Sequence, residues 1–135
     1  MSLESVDLVA LIDDSDIDLF VQKRFIEISS FARNILVFKS ARKALDHLAI
    51  PSHPRPNVIF LDLNMPDMDG FSFLEEMLKF PVGGDGHPKV VILTSSSSSS
   101  DKARAATFGN VISFLSKPLT EKRLVELKPL VGKAS

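Results

Sequence analysis

The sequence contains no cysteine, tryptophan or tyrosine, and no long hydrophobic run. Without cysteine there is no disulfide, no thiolate metal ligand and no thiol nucleophile. No apolar stretch approaches the ~18 residues that a membrane span requires, and the acidic N-terminus lacks the basic region of a signal peptide. The 16 basic residues are matched by 17 acidic ones, so the excess of positive charge that nucleic-acid binding needs is missing. We therefore expect a cytoplasmic protein with no membrane partner and no direct nucleic-acid partner.

The chain does have enough apolar material for one hydrophobic core. Its 135 residues are 44% hydrophobic, which suits one folded domain. Pro- and Gly-rich stretches at 51–56 and 81–88 are typical of surface loops, and no linker separates a second domain. We expect residues 1–135 to form a single domain with its core at about 6–131 and with no output domain.

Five short apolar runs, rich in valine, isoleucine, leucine and phenylalanine, predict five strands. They lie at 8–12, 35–38, 58–61, 90–93 and 111–115. Near-continuous apolar character, without strict alternation, is typical of parallel strands that are covered on both faces. Segments with helical spacing follow each run. The pattern predicts an α/β fold: a doubly wound (βα)5 domain with a five-stranded parallel sheet in the flavodoxin-like strand order 2-1-3-4-5.

The segments between the runs predict amphipathic helices. The apolar positions of the first helix are Ile17, Phe20, Val21, Phe25 and Ile28, behind candidate caps Ser15 and Asp16. The corresponding positions of the next three are Ala44, Leu45 and Leu48, then Phe71, Leu74, Met77 and Leu78, then Ala103, Ala106 and Thr107 before a stop near Gly109. The last helix is predicted from Thr120 to about Val131, with Leu124, Val125 and Leu127 inward and its end weakened by Pro129.

Acidic residues follow two of the predicted strands at the point where each strand ends. Asp13 and Asp14 come after the first strand, and Asp62 comes after the third. In this strand order the first and third strands are neighbours, and ligands bind beyond their carboxyl ends. Close carboxylates repel one another unless they share a proton or bind a cation. A cluster that offers only oxygen ligands favours Mg²⁺ over zinc or copper.

The fourth and fifth predicted strands also end in polar residues. Thr94 offers a hydroxyl to a phosphoryl oxygen, and Lys117 offers a positive charge to an anion. Phosphoryl transfer depends mainly on in-line positioning and on neutralising the charge of the equatorial oxygens. A magnesium ion, a lysine and a hydroxyl meet these needs, so the pattern indicates a carboxylate nucleophile at Asp62.

These residues resemble the receiver domain of two-component response regulators over nearly the whole chain. The shared motifs are Asp13-Asp14 after the first strand, Asp62 followed by Met65-Pro66 and Asp69-Gly70, Thr94 after the fourth strand, and Lys117-Pro118 after the fifth. Each motif is common by itself. All four in this order, each at a strand end, are highly specific.

The resemblance implies a role for each acid of the cluster. Asp62 would accept a phosphoryl group from the phosphohistidine of a histidine kinase or a histidine phosphotransfer protein. Asp13 and Asp14 would hold Mg²⁺ together with Asp62, and the backbone carbonyl of Asn64 would be a further ligand. The output would be the binding of a downstream target protein. The only chemistry expected is the domain's own phosphotransfer and autodephosphorylation, so we do not expect an enzyme in the usual sense.

The resemblance also implies how phosphorylation would be sensed. Lys117 would contact the phosphoryl group, Thr94 would move toward it, and the Lys117-Pro118 peptide bond would be cis. Phe114 stands where the family often has a tyrosine, so it would act as a switch without a hydroxyl group. The responding surface would be the fourth helix, the fifth strand and the fifth helix.

Two other functions fit the sequence less well. An aspartate-nucleophile phosphohydrolase carries its nucleophile after the first strand with an acid two residues later, whereas Asp62 follows the third strand and has Asn64 at that distance. A phosphorylation-independent binding module of receiver shape usually loses part of the acid, threonine and lysine set, and this chain keeps all of it.

We interpret Asp67 and Asp69 as turn residues that bond their own backbone, and Ser96 as a small polar position next to the site.

Overall fold

One parallel sheet organises the molecule in a computed structural model that describes residues 5–81, 86–95 and 98–131. Its strands are Val6–Ile12 (β1), Ala32–Phe38 (β2), Val58–Leu61 (β3), Lys89–Thr94 (β4) and Val111–Ser116 (β5). They lie in the order β2-β1-β3-β4-β5, and every pairing is parallel. The predicted strand order is confirmed, so β1 and β3 are direct neighbours. Ser96 lies outside the described residues.

A helix follows each strand, and the helices cover both faces of the sheet. They are Asp16–Ser29 (α1), Ala41–Leu48 (α2), Gly70–Met77 (α3), Ser99–Ala105 (α4) and Glu121–Val131 (α5). Buried residues of α1 and α5 form one core with the sheet, and those of α2, α3 and α4 form the other. The predicted doubly wound (βα)5 architecture is confirmed. Among the described residues no helix is long and apolar enough to cross a membrane.

The two cores explain why the strand sequences are apolar at nearly every position. In β1, Val9 and Leu11 point into the core under α1 and α5, while Ala10 and Ile12 point into the core under α2 to α4. Each of these four side chains is at most 1% exposed. Since side chains alternate between the faces of a strand, a strand buried on both faces has no polar positions.

Side chains of serine and aspartate begin four of the helices by accepting a backbone N–H from the first turn. The caps are Ser15 for α1, Ser40 for α2, Asp69 for α3 and Ser98 for α4. Such a cap satisfies one of the N–H groups that has no partner inside the helix. The predicted cap at Ser15 is confirmed, with Asp16 as the first helical residue.

Asp67 makes contacts beyond its predicted role as a turn residue. Its Oδ2 accepts hydrogen bonds from Ser40 Oγ at 2.6 Å and from Arg42 N at 3.0 Å. These bonds, the hydroxyl of Ser40 first, hold the pKa of Asp67 below its usual value. The carboxylate therefore joins the loop after β3 to the start of α2. The two partners lie 27 and 25 positions away in the chain, so local turn rules do not reveal them.

The inward face of α1 was predicted only in part: Phe25 packs against the core, but three of the other predicted positions do not. Ile17, Phe20 and Ile28 are 77%, 70% and 52% exposed. The buried residues of the helix are instead Leu19, Gln22 and Ile26. Apolar residues are spread around most of α1, so their spacing does not select one face. The face that turns inward carries Asp18 and Gln22, whose polar groups contact charged residues at the ends of β1 and β5.

The fourth helix also buries a residue other than the predicted ones. Ala105 is 1% exposed, whereas Ala103, Ala106 and Thr107 are exposed. The helix ends at Ala105, before the predicted stop near Gly109. A seven-residue helix makes only about two turns, so few of its side chains can face the core, and Ala105 is the buried one.

The fifth helix agrees with the prediction except at Val125. Leu124 and Leu127 are 1% and 3% exposed, but Val125 is 64% exposed. Adjacent residues of an α-helix point about 100° apart, so Val125 cannot share the face of Leu124 and Leu127. Pro129 lies inside the helix, which continues to Val131.

Candidate functional site

Three carboxylates meet beyond the carboxyl ends of β1 and β3. Asp13 N–H bonds to the carbonyl of Phe38 at 3.1 Å, and Asp62 N–H bonds to the carbonyl of Ile12 at 3.0 Å, so the sheet ladder fixes both backbones. Oxygen atoms from Asp13, Asp14 and Asp62 all lie within 4.8 Å of one another. Asp13 and Asp62 are 1% and 5% exposed, whereas Asp14 is exposed. The predicted acid cluster is therefore assembled in the structure.

The environment of Asp62 opposes its negative charge. Burial raises its pKa, Lys117 works against that effect, and the charges of Asp13 and Asp14 raise the pKa further. The Asn64 N–H donates to Asp62 Oδ1 at 3.3 Å and acts to lower the pKa. The charge of the cluster is thus only partly compensated by the protein. Three oxygen donors at this spacing fit a hard divalent cation such as Mg²⁺, which would supply the missing positive charge.

Lys117 supplies the positive charge that the protein itself places in the cluster. Its Nζ lies 2.8 Å from Asp13 Oδ2, 2.8 Å from Asp18 Oδ2 and 3.6 Å from Asp62 Oδ2. The side chain is only 12% exposed. Burial lowers the pKa of Lys117, but the hydrogen bonds to Asp13 and Asp18 outweigh it and the pKa is raised. The lysine therefore stays protonated. The predicted cis bond between Lys117 and Pro118 is present.

The two predicted switch residues, Thr94 and Phe114, lie on β4 and β5. Thr94 is the last residue of β4, is completely buried, and pairs in register with Ser116. Its carbonyl accepts the backbone N–H of Lys117 at 2.9 Å, so the ends of β4 and β5 are joined beside the site. Phe114 is half-buried and packs against the core under α2 to α4.

The loop after Asp62 is anchored where it enters α3. Gly70 N–H bonds to the carbonyl of Leu63 at 2.9 Å. A Cβ atom at position 70 would lie 2.7 Å from Leu63 Cδ2 and 2.9 Å from Leu63 Cα. Only glycine fits so close to the backbone that follows Asp62. The bond between Gly70 and Leu63 joins the two ends of the loop, and the bonds of Asp67 tie its middle to the start of α2.

A family model described as the response regulator receiver domain matches residues 9–128. The matched range contains every residue of the acid cluster together with Thr94, Phe114 and Lys117. This chain belongs to the response regulator receiver domain family. The resemblance stated from the sequence motifs is confirmed.

Solved receiver structures share the whole fold of this receiver. A two-component response regulator from Cytophaga hutchinsonii is 28% identical with a TM-score of 0.86, covering 95% of this chain and 98% of that one. A response regulator receiver protein from Dyadobacter fermentans DSM 18053 is 31% identical with a TM-score of 0.77, covering 90% and 94%. Both proteins match this receiver over nearly their entire length.

Curated relatives of this receiver include proteins with much longer chains. A protein-glutamate methylesterase/protein-glutamine glutaminase 5 from Myxococcus xanthus is 32% identical over 129 residues. The match covers 94% of this chain but only 35% of the relative. This chain thus spans about a third of that relative's length, and the similarity is confined to the receiver part.

Two polar residues of α1 belong to the site of this receiver and were missed in the sequence. Asp18 binds Lys117, and Gln22 Nε2 donates a hydrogen bond to Asp13 Oδ2 at 3.2 Å. Gln22 is only 2% exposed, which is unusual for a glutamine and is explained by this bond. The spacing of Ser15, Asp18 and Gln22, three and then four residues apart, was the available signal, because residues at that spacing share one helix face.

Proposed function

We propose that this receiver domain is a cytoplasmic, phosphorylation-controlled switch whose phosphoacceptor is Asp62. The donor would be the phosphohistidine of a histidine kinase or of a histidine phosphotransfer protein. The observation that carries the proposal is the position of Asp62 at the end of β3, buried and facing Asp13, Asp14 and Lys117. A buried carboxylate with two acids beside it has little structural value, whereas a nucleophile in a cation site needs such neighbours.

The chemical step uses the carboxylate of Asp62 as a nucleophile. One carboxylate oxygen attacks the phosphorus atom, an acyl phosphate O–P bond forms, and the N–P bond to the donor imidazole breaks. The histidine leaves with the electron pair of that bond. Asp62 must be ionised for the attack, and Lys117 favours ionisation against the effects of burial and of the neighbouring acids. Lys117 and the hydroxyl of Thr94 would then contact the transferred phosphoryl oxygens.

Asp13, Asp14, Asp62 and the backbone carbonyl of Asn64 would hold Mg²⁺. The donor set fits this ion because it consists of oxygen atoms alone and because three of the groups are carboxylates within 4.8 Å of one another. When bound, Mg²⁺ neutralises charge on the phosphoryl oxygens during transfer. The protein's own part is to fix the three acids on two neighbouring strand ends.

The surface beside the site supports a protein as the phosphoryl donor. Ile17 and Phe20 are 77% and 70% exposed on the first turns of α1, the helix whose Asp18 contacts Lys117. Large exposed apolar side chains near a site mark a surface for protein contact. A donor that docks at the start of α1 would lie at the same edge of the sheet as the acid cluster. After phosphorylation, a target protein would bind the surface of α4, β5 and α5, and the bound target would be the output.

The methylesterase activity named for the Myxococcus xanthus relative is not part of this proposal, because the match covers 35% of that protein. The activities that we propose for the chain are acceptance of the phosphoryl group and its later hydrolysis.

The test is phosphorylation by a small donor. The protein is incubated with Mg²⁺ and acetyl phosphate, and its intact mass is measured for the wild type, Asp62→Asn and Asp67→Asn. Asp67 is the matched control, because it lies in the same loop but binds the start of α2. We expect one acid-labile phosphoryl adduct on the wild type and on Asp67→Asn, and none on Asp62→Asn. No adduct on the wild type, or an equal adduct on Asp62→Asn, would contradict the proposal.

A further inference from the structure

Asp18 reaches the site from α1, and its carboxylate holds the lysine of the cluster. Lys117 Nζ is 2.8 Å from Asp18 Oδ2 and 2.8 Å from Asp13 Oδ2, but 3.6 Å from Asp62 Oδ2. The lysine is thus nearer to two acids that do not react than to the acid that accepts the phosphoryl group. Asp18 is 34% exposed, so it joins the buried cluster from its solvent side.

The start of α1 is built so that this carboxylate is available to Lys117. Ser15 N–H donates to Asp13 Oδ1 at 2.9 Å, which fixes the corner between β1 and α1. The hydroxyl of Ser15 then accepts the N–H of Asp18 at 3.2 Å and caps the helix. The side chain of Asp18 is not needed as a cap. One turn later, Gln22 binds Asp13 from the same helix face.

We propose that Asp18 is a positioning residue that holds Lys117 away from Asp62 in the unphosphorylated domain and competes with the phosphoryl group for Lys117. The inference rests on the proposed function, and it concerns the regulation of the same site. Asp18 would act through Lys117 without touching the reacting atoms.

In the unphosphorylated domain this arrangement favours cation binding. An ammonium group that is nearly buried pairs strongly with the carboxylates around it. Without Asp18, the Nζ of Lys117 would turn further toward Asp62 and would neutralise the oxygen atoms that Mg²⁺ needs. Asp18 also adds one negative charge near the cation. Both effects raise the affinity of the free domain for Mg²⁺.

In the phosphorylated domain the same arrangement disfavours the pairing of Lys117 with the phosphoryl group. The phosphoryl group brings new negative charge next to Asp62, and Lys117 must leave Asp18 to pair with it. Asp18 can be rehydrated because it is one third exposed, but its charge still attracts the lysine and repels the phosphoryl oxygens. Asp18 therefore lowers the affinity of the Mg²⁺-loaded site for a phosphoryl anion. Its two effects have opposite signs.

The opposite signs allow a test that general damage to the site cannot imitate. Mg²⁺ binding is measured by isothermal titration calorimetry, and beryllium fluoride, which mimics a phosphoryl group on a carboxylate, is then titrated at saturating Mg²⁺. The variant is Asp18→Asn. The control is Asp16→Asn, which removes a charge from the same helix turn, where Asp16 is paired with Lys39 on the surface. Urea unfolding of each variant verifies that it is folded.

For Asp18→Asn we expect about fivefold weaker Mg²⁺ binding and about fivefold tighter beryllium fluoride binding. Asp16→Asn should stay within about twofold of the wild type in both titrations, and Asp18→Glu should return both values toward the wild type. Equal affinities for the wild type and Asp18→Asn, or a parallel loss of both ligands, would overturn the proposal. A wild type that binds Mg²⁺ but not beryllium fluoride, and forms no adduct with acetyl phosphate, would contradict the proposed function itself.

Discussion

The helices α1 and α3 both begin at the carboxyl edge of the sheet, yet they bury different kinds of residue. α3 turns Phe73 and Leu74 into the core, and both are completely buried. α1 buries Gln22 and directs Asp18 to Lys117, while Phe20 is 70% exposed. α3 thus contributes mainly to the core, whereas the first two turns of α1 supply polar groups to the acid cluster. A helix beside buried charges must supply polar or charged partners for them, so it buries fewer apolar side chains at those positions.

The difference between α1 and α3 is tested most strongly by replacing one phenylalanine with alanine in each helix. Phe73→Ala should lower the free energy of unfolding by about 3–5 kcal/mol, because a large ring is removed from the core and a cavity is left. Phe20→Ala should change it by less than about 0.5 kcal/mol, because the ring is mostly in solvent. Urea unfolding followed by far-UV circular dichroism measures both values. Similar losses for the two variants would show that Phe20 is packed against the protein and that the two helices do not differ in this way.

The start of α3 gives a second test. Gly70→Ala should destabilise the protein by about 1–3 kcal/mol, because the new methyl group would press on Leu63 and the backbone would have to shift. The shift should reach the loop that follows Asp62, so the rate of acetyl phosphate labelling should fall as well. The thermal unfolding midpoint and the labelling rate are the measurements. A Gly70→Ala protein with unchanged stability would show that the contact with Leu63 is not needed to hold this loop.

A smaller loss of stability than for Gly70→Ala is expected at the start of α2, whose Ser40 and Arg42 donate hydrogen bonds to Asp67 in the loop that leads to α3. Asp67→Ala should cost about 1 kcal/mol at neutral pH, as for the loss of a helix cap. The folded state lowers the pKa of Asp67 from its usual 3.8, so its contribution is complete above that value and is lost as the pH falls through the folded pKa.

The measurement is the difference in urea midpoint between the wild type and Asp67→Ala at neutral pH and at pH values below about 4. The difference should shrink in acid. A difference that stays constant or grows at low pH would show that the ionised carboxylate is not the stabilising species.

The sheet and the predicted site residues could be read from the sequence because both follow from local patterns. An apolar run that ends in Asp62 defines a buried strand and its carboxyl end at once, and the same holds for Asp13 and Thr94. The strand order then brings these ends together. Lys117 was found in the same way, from its position after the fifth run.

The contacts of α1 and of the loop after β3 could not be read in this way. Lys117 and Asp18 are 99 positions apart, so no spacing rule relates them. The inward face of α1 combines Leu19 and Ile26, which lie in the core with residues of α5, with Asp18 and Gln22, which bind Lys117 and Asp13. Apolar spacing identified the helix correctly, but it could not show that polar residues share the face that turns toward the protein.

The most direct test of the account is to find which carboxylate carries the phosphoryl group. The wild type is labelled with acetyl phosphate and Mg²⁺ and reduced with sodium borohydride, which converts an aspartyl phosphate to homoserine. Tandem mass spectrometry of the peptides then locates the homoserine. Homoserine is expected at position 62, with unchanged aspartate at positions 13 and 14. Homoserine at Asp13 or Asp14, with Asp62 intact, would contradict the role of Asp62 as the phosphoacceptor.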